Sequence, residues 1–179
     1  MRYCVRDNLI SSRLLRAVQA DWPGDDWPGW HAYENGKRAS RMVSSAPTSI
    51  LQALDQLASL ATLFTPESFP DLSFYGAGLH ELPPGIGLGW HRDAARHPLK
   101  PWRRAETAIL YLDNGGELAF RGGSEDRITP QPGRSVVFLP SDDTEHCVIP
   151  SAQRRRSLSV FFYVVDESAG GSVRAEFTE

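Results

Sequence analysis

The sequence is poor in cysteine and contains no long apolar run. Only two of its 179 residues are cysteines, Cys4 and Cys147, and they lie far apart in the chain. Two cysteines provide no disulfide framework, so we expect a reducing, cytoplasmic compartment. A membrane-spanning helix needs roughly 18 or more consecutive apolar residues, which the sequence lacks. Its first residues do not have the apolar centre of a signal peptide. We therefore expect no membrane partner.

The chain also lacks an excess of positive charge. It has 19 lysines and arginines against 22 aspartates and glutamates, and its net charge is −3. Broad nucleic-acid binding usually requires a basic domain, so the composition disfavours a nucleic acid as partner without excluding it. A length of 179 residues with 41% hydrophobic residues is typical of one domain with a substantial core. The sequence makes no prediction about oligomeric state.

Two histidines and an aspartate are the most informative residues of the chain: His91, Asp93 and His146. Two imidazoles and one carboxylate form the three-ligand set of a non-haem Fe(II) oxygenase. On an extended strand, residues i and i+2 point to the same side, so His91 and Asp93 can bind one ion while Arg92 faces away. His146 must then come from a distant strand. Taken alone, these three residues are equally compatible with polar groups near a surface turn.

Hydrophobic periodicity predicts two helices followed by many short strands. Residues 8–20 carry apolar side chains at helical spacing, and so do residues 48–63, where Thr48 and Ser49 are the expected N-terminal caps. Both helices should pack their apolar faces on the outside of a sheet. From Leu72 onward, strand patterns alternate with turns rich in proline and glycine.

This order of elements predicts a mainly β fold with N-terminal helices, namely a double-stranded β-helix of the jelly-roll or cupin-like type. We expect a single domain over residues 1–179. Within it, residues 1–70 provide helical support, residues 71–165 form the β-helix core and residues 166–179 are a tail.

The segments around His91, Asp93 and His146 contain further residues whose type, order and spacing are informative. A strand at 108–112 precedes Gly115-Gly116-Glu117-Leu118, a turn and buried strand occupy 132–140, and arginines and serines open a β-rich run at 155–163. Together, residues 72–163 resemble the Fe(II)/2-oxoglutarate-dependent dioxygenase superfamily, in its prolyl-hydroxylase-like branch. The resemblance implies that His91, Asp93 and His146 are the catalytic iron ligands. It also implies Fe(II), 2-oxoglutarate as cosubstrate and O2, with ascorbate as an optional reductant.

The same resemblance assigns a cosubstrate clamp to the arginine run. Arg155 matches the basic residue that pairs with the distal carboxylate of 2-oxoglutarate, and a guanidinium binds a carboxylate through two parallel hydrogen bonds. Arg156 is the rival, because only one of two neighbouring strand residues points inward. Aligning the next residues with the family's strand places Arg155 inward, with Ser157 and Ser159 on the same face. Arg154 and Arg156 are then expected in solvent.

The resemblance to this superfamily also leads to expectations for three further features of the sequence. Tyr111 matches a tyrosine whose hydroxyl also reaches the cosubstrate, the alternative being an ordinary strand aromatic. The glycines of Gly115-Gly116 are expected in a hairpin turn. Many relatives have a tyrosine about ten residues before the first iron histidine, whereas this chain has His80 and Glu81 near that position, so a different role is open to either residue.

Two loops border the predicted site. The tryptophan-rich segment 22–33 either covers the edge of the barrel or forms a lid, with Tyr33, Lys37 and Arg38 near the mouth. The segment 92–104 is rich in basic residues, which favours an anionic substrate if these residues face the site. The alternative for this segment is an ordinary solvated loop.

The resemblance implies an oxygenase that hydroxylates a C–H bond of a peptidyl, amino-acid or other small substrate, with release of succinate and CO2. A first alternative is oxidative demethylation or hydroxylation of a nucleic-acid base, because Leu88–His91 resembles the start of the metal motif in that branch. A second alternative is a non-catalytic cupin-like protein that binds a metal or ligand. Arg155 and Tyr111 argue against the second, since a metal binder needs no cosubstrate clamp.

Overall fold

A computed structural model describes residues 3–60, 63–121, 126–141 and 144–166. Apart from Asp166, the predicted tail lies outside the described residues. The first third of the chain contains β1 (Tyr3–Arg6), α1 (Ser12–Ala20), β2 (Trp30–Ala32), β3 (Arg38–Ser40), a 3-10 turn (Val43–Ser45), α2 (Thr48–Ala58) and β4 (Phe69–Pro70). The remaining strands are β5 (Gly78–Leu82), β6 (Leu88–His91), β7 (Trp102–Tyr111), β8 (Leu118–Arg121), β9 (Asp126–Ile128), β10 (Ser135–Phe138), β11 (Glu145–Val148) and β12 (Arg155–Val165).

The strands form two antiparallel sheets. The larger has the order β1-β10-β7-β12-β5-β3-β2, with β4 also paired to β12, and the smaller has the order β6-β11-β8-β9. From β5 onward the chain passes repeatedly from one sheet to the other and back, which is the winding of a double-stranded β-helix. The predicted mainly β fold with N-terminal helices is confirmed.

The first 70 residues do more than provide helical support, because they also contribute four strands to the larger sheet. β1 pairs with β10, β3 pairs with β5, and β4 pairs with β12. These strands are only two to four residues long. Alternation over so few positions is too short to recognise in a sequence, and the partners lie far away in the chain. The division of the domain into support and core remains a prediction.

The helix starts differ in how well the sequence predicts them. Ser11 is the N-cap of α1, and its Oγ accepts a hydrogen bond of 3.2 Å from the backbone N–H of Leu14. For α2, the expected capping by Thr48 and Ser49 was wrong, because Pro47 is the N-cap and no side chain caps the helix. Ser49 Oγ instead donates to Asp21 Oδ2 at 2.7 Å, which ties α2 to the end of α1.

Both helices are also shorter than predicted. The apolar pair Leu9 and Ile10 precedes α1, and α2 ends at Ala58 rather than at residue 63. Their apolar faces pack on the outer face of the larger sheet, as expected. The core cluster there joins α2 to β5, β7 and β12 through Ile50, Leu54, Leu57, Leu79, Leu110, Leu158 and Val160. No helix in the described ranges is long and apolar enough to cross a membrane.

The tryptophan-rich segment packs against the barrel edge. The ring centroids of Trp22 and Trp27 lie 5.9 and 5.1 Å from that of Trp30, and all three pack against the helix-covered core. Trp22 Nε1 donates to Glu81 Oε2 at 2.7 Å, and Arg38 forms an ion pair with the same buried carboxylate. The edge-covering interpretation therefore holds for the tryptophans. Glu81 anchors this segment and does not line the cavity described below.

Candidate active site

A cavity of about 260 Å³ lies between the two sheets, and strands of both sheets line it. His91 ends β6, and His146 lies opposite it in the register of β11. Asp93 follows two residues after His91, in the loop beyond the strand, so the expectation that both lie on one strand was wrong. The side chains nevertheless face one cavity, and ligand atoms of all three residues lie within 4.8 Å of one another.

Backbone carbonyls orient the two imidazoles. His91 Nδ1 lies 2.8 Å from the carbonyl oxygen of Gly89, and His146 Nδ1 lies 2.9 Å from that of Thr144. A neutral ring that donates from Nδ1 to a carbonyl presents the lone pair of Nε2 to a metal ion. Burial lowers the pKa of His146, which favours this neutral form.

Two residues hold the carboxylate of Asp93. Thr107 Oγ1, on β7, donates to Asp93 Oδ2 at 2.6 Å, and Arg104 Nη1 lies 3.4 Å from the same oxygen. Arg104 is buried, and its Cζ lies 3.6 Å from the ring centroid of Phe161. Oδ1 of Asp93 is left toward His146 Nε2, at 3.9 Å. Thr107 was not predicted as a site residue. The only sequence signal for it is its spacing of two residues from Ile109 and of four from Tyr111, which places all three on the same face of β7.

The donor set fits Fe(II) in its chemistry. Two imidazole nitrogens and one carboxylate oxygen that line the same cavity are the ligands that non-haem Fe(II) oxygenases use. Arg104 and Thr107 both engage the oxygen of Asp93 that lies away from His146, and such partners of a ligand fix its orientation.

Arg155 opens β12 and lines the same cavity. It is only 5% exposed, forms no ion pair with any described residue, and its buried Nε has no hydrogen-bond partner among them. Asp93 is the only carboxylate on the described wall of the cavity. A buried guanidinium without an anion is costly, so its presence indicates an anionic ligand.

Side chains alternate between the two faces of β12, so the other residues of β12 predicted to bind the cosubstrate lie on the same face as Arg155. Ser157 and Ser159 line the cavity on the same face as Arg155. Arg156 lies on the opposite face, where its Nε and Nη2 donate to the two oxygens of Asp113 at 2.7 and 2.8 Å. The expectation that Arg156 is solvated was wrong, since its side chain is 11% exposed.

Tyr111 lies beside the clamp without lining the cavity. Its ring is fully buried, its hydroxyl has no hydrogen-bond partner in the described ranges, and Arg155 Cζ lies 5.2 Å from the ring centroid. Burial raises the pKa of Tyr111, and the charge of Arg155 opposes this only in part, so the hydroxyl stays protonated and able to donate. A contact with the cosubstrate remains a prediction.

The basic segment 92–104 is not a uniformly solvated loop. Arg104 is buried against Asp93, Arg96 forms an ion pair with Asp166 at 2.8 Å, and His97 is buried beside Asp71. None of these three basic side chains lines the cavity. The segment therefore gives little support to an anionic substrate through the residues that suggested it.

The glycines of Gly115-Gly116 do not form the expected hairpin. They connect β7 of the larger sheet to β8 of the smaller one. A Cβ on Gly115 would lie 2.5 Å from the carbonyl oxygen of Arg154, and a Cβ on Gly116 would lie 2.9 Å from Arg155 Cδ. The glycines therefore allow this connection to pass close to the start of β12.

We expect Gly116→Ala to destabilise the fold and to weaken cosubstrate binding together. Gly116 has φ +71°, where an L-residue costs about 1–2 kcal/mol. The added methyl group would also displace Arg155 or Val148, at a further cost of about 1–3 kcal/mol. Gly85→Ala is the matched control, since Gly85 has φ +81° and open space around it. Thermal unfolding measures the stability and titration with 2-oxoglutarate measures the binding. Equal effects of Gly116→Ala and Gly85→Ala would show that the contact of Gly116 with Arg155 and Val148 is not the cause.

Of the two residues for which a different role was open, His80 and Glu81, only His80 lies on the cavity wall. Its Nε2 is 2.9 Å from Ser159 Oγ. Burial lowers the pKa of His80 from 6.5 to about 3, and the nearby charges of Lys37 and Arg155 act in the same direction. The ring is therefore neutral at physiological pH.

This shift predicts a pH-dependent stability. Below about pH 6.5 the unfolded chain binds a proton at His80 that the folded protein does not bind, so the free energy of unfolding falls as the pH drops from 6.5 towards 3. Between pH 7 and 5, His80 should contribute about 1–2 kcal/mol of this loss. His80→Gln should remove that part. Urea unfolding at both pH values checks it, and an unchanged pH dependence in the variant would contradict it.

Cys4 and Cys147 form no disulfide bond in the described part of the chain, and Cys147 is buried without lining the cavity. No curated protein matches the chain by sequence. A family model described as the 2OG-Fe(II) oxygenase superfamily matches residues 77–174, which is more than half of the chain. The chain belongs to this superfamily. The predicted family is thereby confirmed, and with it the enzyme class; the family and the triad together imply Fe(II) and 2-oxoglutarate.

Solved structures share the fold of this oxygenase. A Pseudomonas putida prolyl-4-hydroxylase is 22% identical with a TM-score of 0.63, over 89% of this chain and 91% of that one. A prolyl hydroxylase from Trichoplax adhaerens, in complex with a hypoxia inducible factor peptide fragment, is 16% identical with a TM-score of 0.63, over 95% and 87%. SnoK, a non-haem α-ketoglutarate-dependent carbocyclase from nogalamycin biosynthesis, is 14% identical with a TM-score of 0.65, over 90% and 79%.

Proposed function

We propose that the protein hydroxylates a C–H bond of a peptidyl, amino-acid or other small substrate and converts 2-oxoglutarate and O2 to succinate and CO2. The observation that carries this proposal is the position of Arg155. A buried guanidinium without an ion-pair partner lines the same cavity as a two-histidine, one-carboxylate metal set. A protein that only binds a metal has no use for such a group, which argues against the cupin-like alternative.

The residues have separate tasks in this proposal. His91, Asp93 and His146 hold Fe(II), which together with 2-oxoglutarate and O2 supplies the oxidising chemistry when bound. Thr107 and Arg104 keep one oxygen of Asp93 engaged, so that the other is available to the metal. The carboxylate is thus held in place before any ligand arrives.

Arg155 binds the distal carboxylate of 2-oxoglutarate through two charge-assisted hydrogen bonds. Ser157 and Ser159, on the same face of β12, offer hydroxyl groups beside it, and Tyr111 offers a phenol that burial keeps protonated. Seven apolar side chains also line the cavity and limit the access of water to the reacting groups: Leu82, Leu88, Ile109, Leu118, Phe138, Val148 and Phe161.

The two prolyl hydroxylases of similar fold make a peptidyl proline one candidate substrate, and the carbocyclase shows that the fold also serves other reactions. Base demethylation has less support. The chain carries a net charge of −3, and in the basic segment that could contact a phosphate backbone Arg96 and Arg104 form internal ion pairs.

The test is succinate formation from 2-oxoglutarate by protein loaded with Fe(II), with and without ascorbate. The candidate substrates are prolyl peptides, free amino acids, small carboxylic acids and methylated nucleosides. We expect a low rate without substrate and a several-fold stimulation by one class. The same assay with Arg155→Ala should show the loss described in the Discussion. Fe(II) binding without any succinate formation would favour the cupin-like alternative.

A further inference from the structure

Lys37 is a second cation on the wall of the metal cavity. It closes the tight turn between β2 and β3, where its carbonyl oxygen accepts from the backbone N–H of Tyr33 at 2.8 Å. Gly36, at φ +83°, makes the turn possible. The next residue, Arg38, alternates away and pairs with Glu81. The hairpin therefore sends one of its two adjacent cations to the cavity and uses the other to anchor itself.

No carboxylate among the described residues forms an ion pair with Lys37. It is half-buried, its Nζ lies 5.1 Å from the ring centroid of Tyr33, and it forms no ion pair with any residue in the described ranges. Burial and the positive charge of Arg155 lower the pKa of Lys37. An ammonium in this position is stabilised by an anion, and the described cavity wall offers only Asp93, which is already committed to the metal set.

The charges of the loaded site leave Lys37 unbalanced. The two positive charges of Fe(II) and the one of Arg155 balance Asp93 and the two carboxylates of 2-oxoglutarate. Lys37 then remains as a single positive charge. A substrate with a negative charge would neutralise it.

A second cavity of about 520 Å³ adjoins the first at Lys37. The two share Lys37, Gly76 and His80 on their walls. The described wall of the second contains no carboxylate, and it offers rings and one further cation: His31, Tyr33, Arg41, Phe74 and Tyr75. It therefore suits a flat or cyclic apolar group that carries a negative charge.

We propose that Lys37 and the adjoining cavity bind a small carboxylic acid as the substrate, with its carboxylate on the Lys37 ammonium and its body between the two cavities. This inference rests on the proposed function, because it assigns the substrate class to the same site. In this proposal Lys37, and not the basic segment 92–104, provides the positive charge that binds the anion. In that segment Arg96, His97 and Arg104 already have internal partners.

The experiment uses matched probes and matched variants. The protein is loaded with Mn(II) and 2-oxoglutarate without O2, and calorimetry measures the binding of N-acetylproline, N-benzoylglycine and phenylacetate, each beside its primary amide. Lys37→Met removes the charge and keeps an unbranched side chain. Lys100→Met is the control, because Lys100 is exposed and is the only other lysine in the sequence.

We expect at least one acid to bind about tenfold or more tightly than its amide, since hydrogen bonds to charged groups contribute this much. Lys37→Met should weaken that acid by about tenfold or more and abolish the preference over the amide. The control variant should change the affinity for the acid less than about twofold. 2-Oxoglutarate affinity should change less than about threefold in Lys37→Met.

Three results would overturn the proposal. These are equal binding of acids and amides, failure of every acid to bind, or a loss of 2-oxoglutarate affinity in Lys37→Met as large as that in Arg155→Ala. The last result would make Lys37 part of the cosubstrate clamp. Each leaves the proposed function standing as long as Mn(II) and 2-oxoglutarate bind. Failure of the wild-type protein to bind them refutes the proposed function itself.

Discussion

His91→Ala is expected to abolish turnover and to weaken Fe(II) binding by more than about 100-fold. Loss of a mere hydrogen-bond partner of a metal ligand costs about 10–100-fold in affinity, and removal of a direct ligand costs more. His91 is the best of the three ligands to replace because it is half-exposed. His146 is buried, and its ring packs against Phe120 and Phe138, with centroids 5.8 and 5.0 Å away. Its removal would leave a gap in the core.

Metal analysis after dialysis and succinate formation measure the two effects, and thermal unfolding of the metal-free protein shows whether the fold survives. Glu145→Gln is the control, since Glu145 precedes His146 but its carboxylate lies 3.3 Å from Arg121 rather than in the metal set. It should keep wild-type metal content. Near-normal succinate formation in His91→Ala would refute the metal assignment.

Arg155→Ala is expected to weaken 2-oxoglutarate binding by about 100-fold or more. Removing one partner of a buried ion pair leaves the other charge uncompensated, which costs about 3–5 kcal/mol, and about 1.4 kcal/mol corresponds to a factor of ten. Arg155 is 5% exposed and faces the cavity, so the pair would form away from solvent.

Arg156→Ala is the matched neighbour and should behave in the opposite way. Its 2-oxoglutarate affinity should change less than about threefold, because Arg156 lies on the other face of β12. Its unfolding temperature should fall by on the order of 5 °C, because a bidentate pair with Asp113 is lost. The apparent KM for 2-oxoglutarate and the melting temperature, measured in both variants, separate the two roles. A strongly raised KM for 2-oxoglutarate in Arg156→Ala, with a normal KM in Arg155→Ala, would contradict the assignment of Arg155 to the cosubstrate carboxylate.

Local sequence patterns were sufficient for the fold class, and together with the family resemblance they indicated the candidate site residues, all of which except Tyr111 line the cavity. Alternation of apolar residues after Leu72 is a property of neighbouring positions, and it predicted a mainly β fold that the two sheets confirm. The residue types of the triad restrict the chemistry strongly, and the structure brings these three side chains within 4.8 Å. The period of two along β12 predicted that only one of Arg155 and Arg156 points inward, and the family resemblance indicated Arg155, which lines the cavity.

Local patterns failed wherever a residue's role depends on a distant partner. Arg156 was expected in solvent because Asp113 lies 43 positions away in the sequence, and Ser49 was expected to cap α2 although it binds Asp21 instead. Gly115-Gly116 was expected in a hairpin, since a pair of glycines indicates a turn but does not tell which sheets the turn connects.

The sequence by itself determined the mainly β architecture through short-range alternation. Its resemblance to a known superfamily indicated the class of the enzyme and the candidate metal and cosubstrate residues. Only the tertiary structure decided that Thr107 and Arg104 hold Asp93, that His80 is neutral on the cavity wall, and that Lys37 reaches the cavity without an ion-pair partner among the described residues. These features arise from contacts between strands distant in the chain and from burial, which set charge and orientation and leave no periodic trace in the sequence.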